Sequence, residues 1–133
     1  MENLYQNAEG YADPTAYEAI FKAHRYPYMP LVYIASPYTG DVEKNTEAAK
    51  RYARFAVDQG FIPIVPHLMY PQFMDEKSER ELALFFGQIL IDKCTELWAF
   101  GKPSLGMTKE IGYAKYHRRN VRCFTEDLKE VEE

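Results

Sequence analysis

The segment Ser104-Leu105-Gly106-Met107-Thr108-Lys109-Glu110 brings together the residue types best able to do chemistry. Ser104 stands where a helix N-cap would, and Gly106 lets backbone come close to a ligand. The free N–H groups and positive dipole end of such a helix start favour an anion, a phosphate or a carboxylate. Glu110 follows on the second turn, one turn past the ligand-facing groups and within reach of a bound sugar. The plainer reading of Glu110 is a solvated helix glutamate beside Lys109, and spacing alone leaves both open.

The elements around this segment must place it. Leu31–Ala35 is a short apolar run and reads as a buried strand. Ser36-Pro37-Tyr38-Thr39-Gly40 is a turn, and Asp41 can cap a helix from Val42 to Gln59. The apolar side of that helix is Ala48, Ala49, Tyr52, Ala53, Phe55 and Ala56, while Lys44, Lys50, Arg51 and Arg54 face water. Gly60 is its expected stop. Phe61–Val65 is a second strand, and Pro63, lacking a ladder donor, puts it at a sheet edge. Pro66–Asp75 reads as a long loop, Ser78–Lys93 as a helix and Thr95–Phe100 as a strand. Gly101–Gly106 is a loop, Met107–Arg118 a helix and Val121–Phe124 a last strand. Alternating strands and helices imply a parallel sheet covered on both faces.

Three regions follow. Residues 1–30 form an arm, with Asp13 capping a short helix that starts at Pro14 and the Pro-rich stretch 26–30 ending it. Residues 31–125 form the α/β domain, and 126–133 an acidic tail expected as a frayed helix. In open α/β sheets ligands bind outside the carboxyl ends of the strands. The loops 36–41, 66–75 and 101–107 meet at that rim.

The chain has 133 residues, 47% hydrophobic and 27% charged, which is the range of one globular domain. Its formal charge of −4 argues against non-specific nucleic-acid binding. No charged start followed by an apolar core marks an export signal, and no apolar run approaches membrane-span length, so a cytoplasmic protein with no membrane partner is expected. Cys94 and Cys123 then read as reduced core thiols. No His, Cys and carboxylate cluster has metal-ligand spacing, so neither metal nor cofactor is expected. The eleven tyrosines suit a ligand site or a subunit interface, and the tyrosine-rich arm suggests a homo-oligomer.

Other side chains near the rim carry two readings each. His67 could donate to a base or a phosphate, or be a loop histidine bonded to backbone. Tyr70 and Phe73 could stack on a nucleobase, whereas Trp98, inside a strand, reads as core. His117-Arg118-Arg119 with Arg122 is a basic patch at a helix C-terminus, read as solvated or interfacial.

With these residues in view, the sequence resembles the nucleoside 2-deoxyribosyltransferase-like superfamily, closest to a bacterial and phage branch of it. The resemblance runs from Leu31 to about Phe124. It is carried by Tyr33-Ile34-Ala35-Ser36-Pro37-Tyr38, Asn45, Ile64-Val65-Pro66-His67-Leu68, Glu96-Leu97-Trp98-Ala99-Phe100-Gly101, and Ser104 through Ala114. It implies a flavodoxin- or Rossmann-like three-layer sandwich with a parallel sheet of four to five strands, plus the N-terminal helical arm. It also implies N-glycosidic chemistry on a deoxynucleoside or its 5′-phosphate. Glu110 falls on the nucleophilic glutamate and Tyr33 on a tyrosine that orients it. Ser36, Pro37 and Tyr38 match the loop lining the pocket, and Asn45, His67, Gly106 and Met107 complete the substrate-binding set. Ser104 is similar to the serine of the 2′-deoxynucleoside 5′-phosphate N-hydrolases, where the transferases carry aspartate.

Three departures accompany the match. The first loop has no arginine to hold phosphate. Where an aspartate would stand upstream of the third strand, the chain has Gly87 and Gln88, with Asp92 the nearby carboxylate. Thr95 stands where related sequences usually have aspartate. The expectations are therefore an N-glycosidase or deoxyribosyltransferase, a binding module for a nucleotide or nucleotide-derived signal, or an oligomeric protein with a vestigial pocket.

Overall fold

The computed structural model describes residues 27–132; the arm helix expected from Asp13 lies outside them. The strands are β1 (Leu31–Ala35), β2 (Ile62–Ile64), β3 (Glu96–Phe100), β4 (Asn120–Phe124) and β5 (Glu130–Val131). The helices are α1 (Val42–Asp58), α2 (Pro66–Met69), α3 (Arg80–Lys93) and α4 (Leu105–Tyr116), with a single 3-10 turn at Tyr70–Gln72.

The strands form one sheet in the order β2-β1-β3-β4-β5. The first four are mutually parallel, and β5 runs antiparallel to β4. The sheet is thus mixed rather than wholly parallel, and the acidic tail is a hairpin return rather than a helix. The reason is local. Leu128 turns at φ 69° and its side chain packs against the core, while Glu130 takes a two-pronged bond from Arg122 at 3.0 and 2.8 Å. A bidentate guanidinium–carboxylate contact fixes register as well as charge. Pro63 does sit in an edge strand, as its missing N–H requires.

Side-chain alternation along β1 and β3 splits the interior into two layers. Val32, Ile34, Trp98 and Phe100 face α1, meeting Ala49, Tyr52 and Ala56, with Ala48, Ala53 and Phe55 packed alongside. The apolar side read from the sequence is the one that packs. Tyr33, Ala35, Leu97 and Ala99 face the other way, onto Ile91 of α3 and Met107 and Ala114 of α4. Helices therefore cover both faces, and β1 and β3 are buried throughout except at their first residues. Pro66–Asp75, expected as a loop, folds into α2 and the 3-10 turn. Pro66 at the helix start and Pro71 in the turn both supply the φ that such turns need.

Candidate active site

Strand order reverses between β1 and β3, and the carboxyl ends of the strands open there into a cleft of about 260 Å³. Alternation decides what reaches its floor. Residue 33 is an odd position in β1, so its side chain points toward α3 and α4. Tyr33 is buried at 2% exposure, and its hydroxyl donates a hydrogen bond to Oε2 of Glu110 on α4. The bond joins residues 77 apart in sequence.

Burial dominates the electrostatics of this pair. It pushes the Glu110 carboxyl up to about 7, and the bond from Tyr33 pulls the other way. The Tyr33 phenol moves well above its usual range, through burial first and then the neighbouring Glu110 charge. A carboxyl poised near neutrality, held at one oxygen, can act as nucleophile or as proton carrier.

The start of α4 forms one side of the cleft. Ser104 caps the helix, its Oγ accepting from the Met107 N–H at 3.2 Å, and its own N–H points at the Met107 sulfur at 3.5 Å. Met107 is buried beneath, and Thr108 Oγ1 closes the turn by donating to the Ser104 carbonyl at 2.9 Å. Opposite, the Tyr38 ring stacks on His67, centroids 5.0 Å apart and 22° between planes. Burial holds the His67 imidazole below its usual range, partly offset by a hydrogen bond to the Ser36 backbone.

Of the residues expected at the site, Tyr33, Tyr38, His67, Ser104, Gly106, Met107 and Glu110 all line this cleft. Ser36, Pro37 and Asn45 do not. Ser36 is buried, its hydroxyl without a hydrogen-bond partner. Asn45 stands behind the first loop, where its amide donates to the carbonyls of Tyr38 and Thr39 at 3.0 and 3.1 Å. It shapes the loop and leaves contact to Tyr38. Phe73 is exposed at 70% and off the cleft, Tyr70 lines it, and Trp98 is core.

The cleft also holds Asp75 and Lys109, from segments the sequence placed at the rim, and Glu76 and Arg80, which the sequence reading did not assign to it. Asp75 accepts from the backbone of Lys77 and Ser78 and turns the chain into α3, which keeps its carboxyl below the usual range. Arg80, one turn later, meets Glu76 at 3.3 Å. An aspartate three and five residues ahead of Ser78 and Arg80, at a loop-to-helix turn, is the signal that could have placed them. Asp92 sits elsewhere: Tyr113 donates to it at 2.8 Å and His117 lies 3.3 Å away. Of the basic patch, Arg119 bonds the Asp92 carbonyl and Arg122 lies over Trp98, while His117 and Arg118 are exposed.

Residues 30–124 match a family described as a domain of unknown function, DUF7768. The chain belongs to that family. The matched span runs from the residue before β1 to the end of β4, so it contains every cleft-lining residue named above and excludes β5. No curated protein matches the chain. Among the described residues no cluster of His, Cys and carboxylate side chains suits a metal ion, and no helix is long and apolar enough to cross a membrane.

Proposed function

We propose that this chain breaks or transfers the N-glycosidic bond of a deoxynucleoside or deoxynucleoside 5′-phosphate, with Glu110 as nucleophile. The supporting observation is the Tyr33–Glu110 hydrogen bond in the floor of the cleft, beside the capped start of α4. In this reading Tyr33 holds one carboxylate oxygen and leaves the other to attack C1′ of the sugar. The glycosidic electron pair leaves with the base, and water or a second base then releases the glycosyl-enzyme. The strand order, which is that of flavodoxin-like sheets, supports a ligand at the β1/β3 crevice. Tyr38 and Tyr70 supply aromatic walls for a base. Ser104 and the α4 N-terminus suit a phosphate, with Lys109 adding a cation in the cleft, while Arg80 is paired there with Glu76.

The position of Asp92 favours a second reading, a module that captures a nucleotide without turning it over. Bonded by Tyr113 and outside the cleft lining, it is not placed to protonate a departing base. Loss of general-acid help removes a factor of about 10²–10⁴.

One experiment separates them. The protein is incubated with a panel of deoxynucleosides and deoxynucleotides, and free base is measured for wild type and Glu110→Gln. Release abolished by the substitution supports the glycosidase. Tight binding without release, unchanged in the variant, sinks it in favour of the module.

A further inference from the structure

Gly87 lies inside α3, a place where glycine weakens a helix relative to alanine. Its backbone does not require it, since its φ is not in the left-handed region that favours glycine. Its surroundings do. A Cβ built at Gly87 would lie 2.9 Å from the Tyr33 hydroxyl oxygen, well inside contact distance. That hydroxyl cannot step aside freely, because Tyr33 is buried in the same core as Ile91, Leu97 and Met107 and its hydroxyl is bonded to Glu110. Gly112 on α4 is the opposite case: a Cβ there would meet nothing within 4 Å.

We propose that Gly87 is a positioning residue, its missing side chain letting α3 close over the Tyr33 hydroxyl and seat it on Glu110. For catalysis the inference rests on Glu110 being the nucleophile proposed above; the geometry stands without it. Any side chain at 87 drives the phenol oxygen away from the carboxylate. The glycine at this position thus reads as a packing requirement of the tyrosine–glutamate pair.

The test needs no substrate. Full-length wild type, Gly87→Ala, Tyr33→Phe, the double variant and Gly112→Ala are compared by thermal unfolding. Glu110 is titrated by carboxyl carbon NMR, its signal assigned by its loss in Glu110→Gln. Gly112→Ala is expected to raise Tm, as helix propensity dictates. Gly87→Ala is expected to lower Tm and to move the Glu110 midpoint upward, since the bond from Tyr33 is what pulls it down. In the Tyr33→Phe background the hydroxyl is gone, so Gly87→Ala is expected to raise Tm and leave the Glu110 midpoint where Tyr33→Phe puts it. Equal effects of Gly87→Ala with and without the hydroxyl, or an unmoved Glu110 titration in the single variant, overturn the proposal. If Gly87→Ala does not fold, rescue of folding by Tyr33→Phe supports it and failure of rescue overturns it. Failure of base release would leave all these readings intact, so the two proposals fail separately.

Discussion

Glu110 carries its charge against the cost of desolvation, and that has a sign. Its folded pKa, about 7, lies above the 4.5 of an unperturbed glutamate. Between those values the folded state binds the extra proton, so stability falls as pH rises from about 4.5 to about 7 and is flat beyond. At 1.36 kcal/mol per unit the penalty at pH 8 is at most about 3 kcal/mol. Glu110→Gln removes the charge and keeps an acceptor for Tyr33. It is expected to raise Tm at pH 8 and change it little at pH 4, checked by calorimetry at both. Equal shifts at the two pH values would contradict the desolvated carboxyl. If the nucleophile reading holds, base release should rise with pH through about 7 as the carboxylate forms, and a pH–rate profile reads this directly.

At the scale of elements, caps were the most legible features. Asp41 and Ser104 stand where the sequence puts N-caps, and both side chains accept the expected backbone N–H. Ser104→Ala should cost about 1 kcal/mol of stability by denaturant unfolding. Under the proposed function it should also weaken binding of a 5′-phosphate more than of the free nucleoside. Asn45 illustrates what linear reading misses. The residue matched a site pattern, yet its role is to hold two carbonyls of the Tyr38 loop, which depends on the loop folding back over α1. Asn45→Ala releases that loop and should raise KM with little change in kcat; a fall in kcat at constant KM would place Asn45 at the reacting centre instead. The segment 66–75 hid α2 because its two prolines look like loop punctuation, while both serve short helical turns here.

For the whole molecule, β5 decides how the sheet ends. By pairing with β4 it covers a strand edge, and Leu128 extends the α1-side core. Ending the chain after Thr125 would leave β4 as an exposed edge beside Trp98 and Phe124 and release Arg122 from Glu130. The truncated protein is expected to unfold at lower denaturant and to aggregate more, read by the emission of Trp98, the single tryptophan, and by light scattering. Unchanged unfolding and solubility would make the hairpin dispensable.

Apolar runs, period and punctuation determined the four parallel strands, the long helices and the edge position of Pro63. These are local properties, set by burial patterns and turn chemistry within a few residues. The segment from Ser104 to Glu110 was visible on the same grounds. The pairing of Tyr33 with Glu110 was implied by the family resemblance, not by any local pattern. Only the tertiary structure decided that Arg80 and Glu76 join the cleft, that Asp92 does not, and that the tail returns as a strand. The cleft contacts join residues far apart in sequence, whose geometry follows from the sheet order and the packing of α3 and α4 upon it, whereas the tail's return is a short-range pairing with β4 fixed by Arg122 and Glu130.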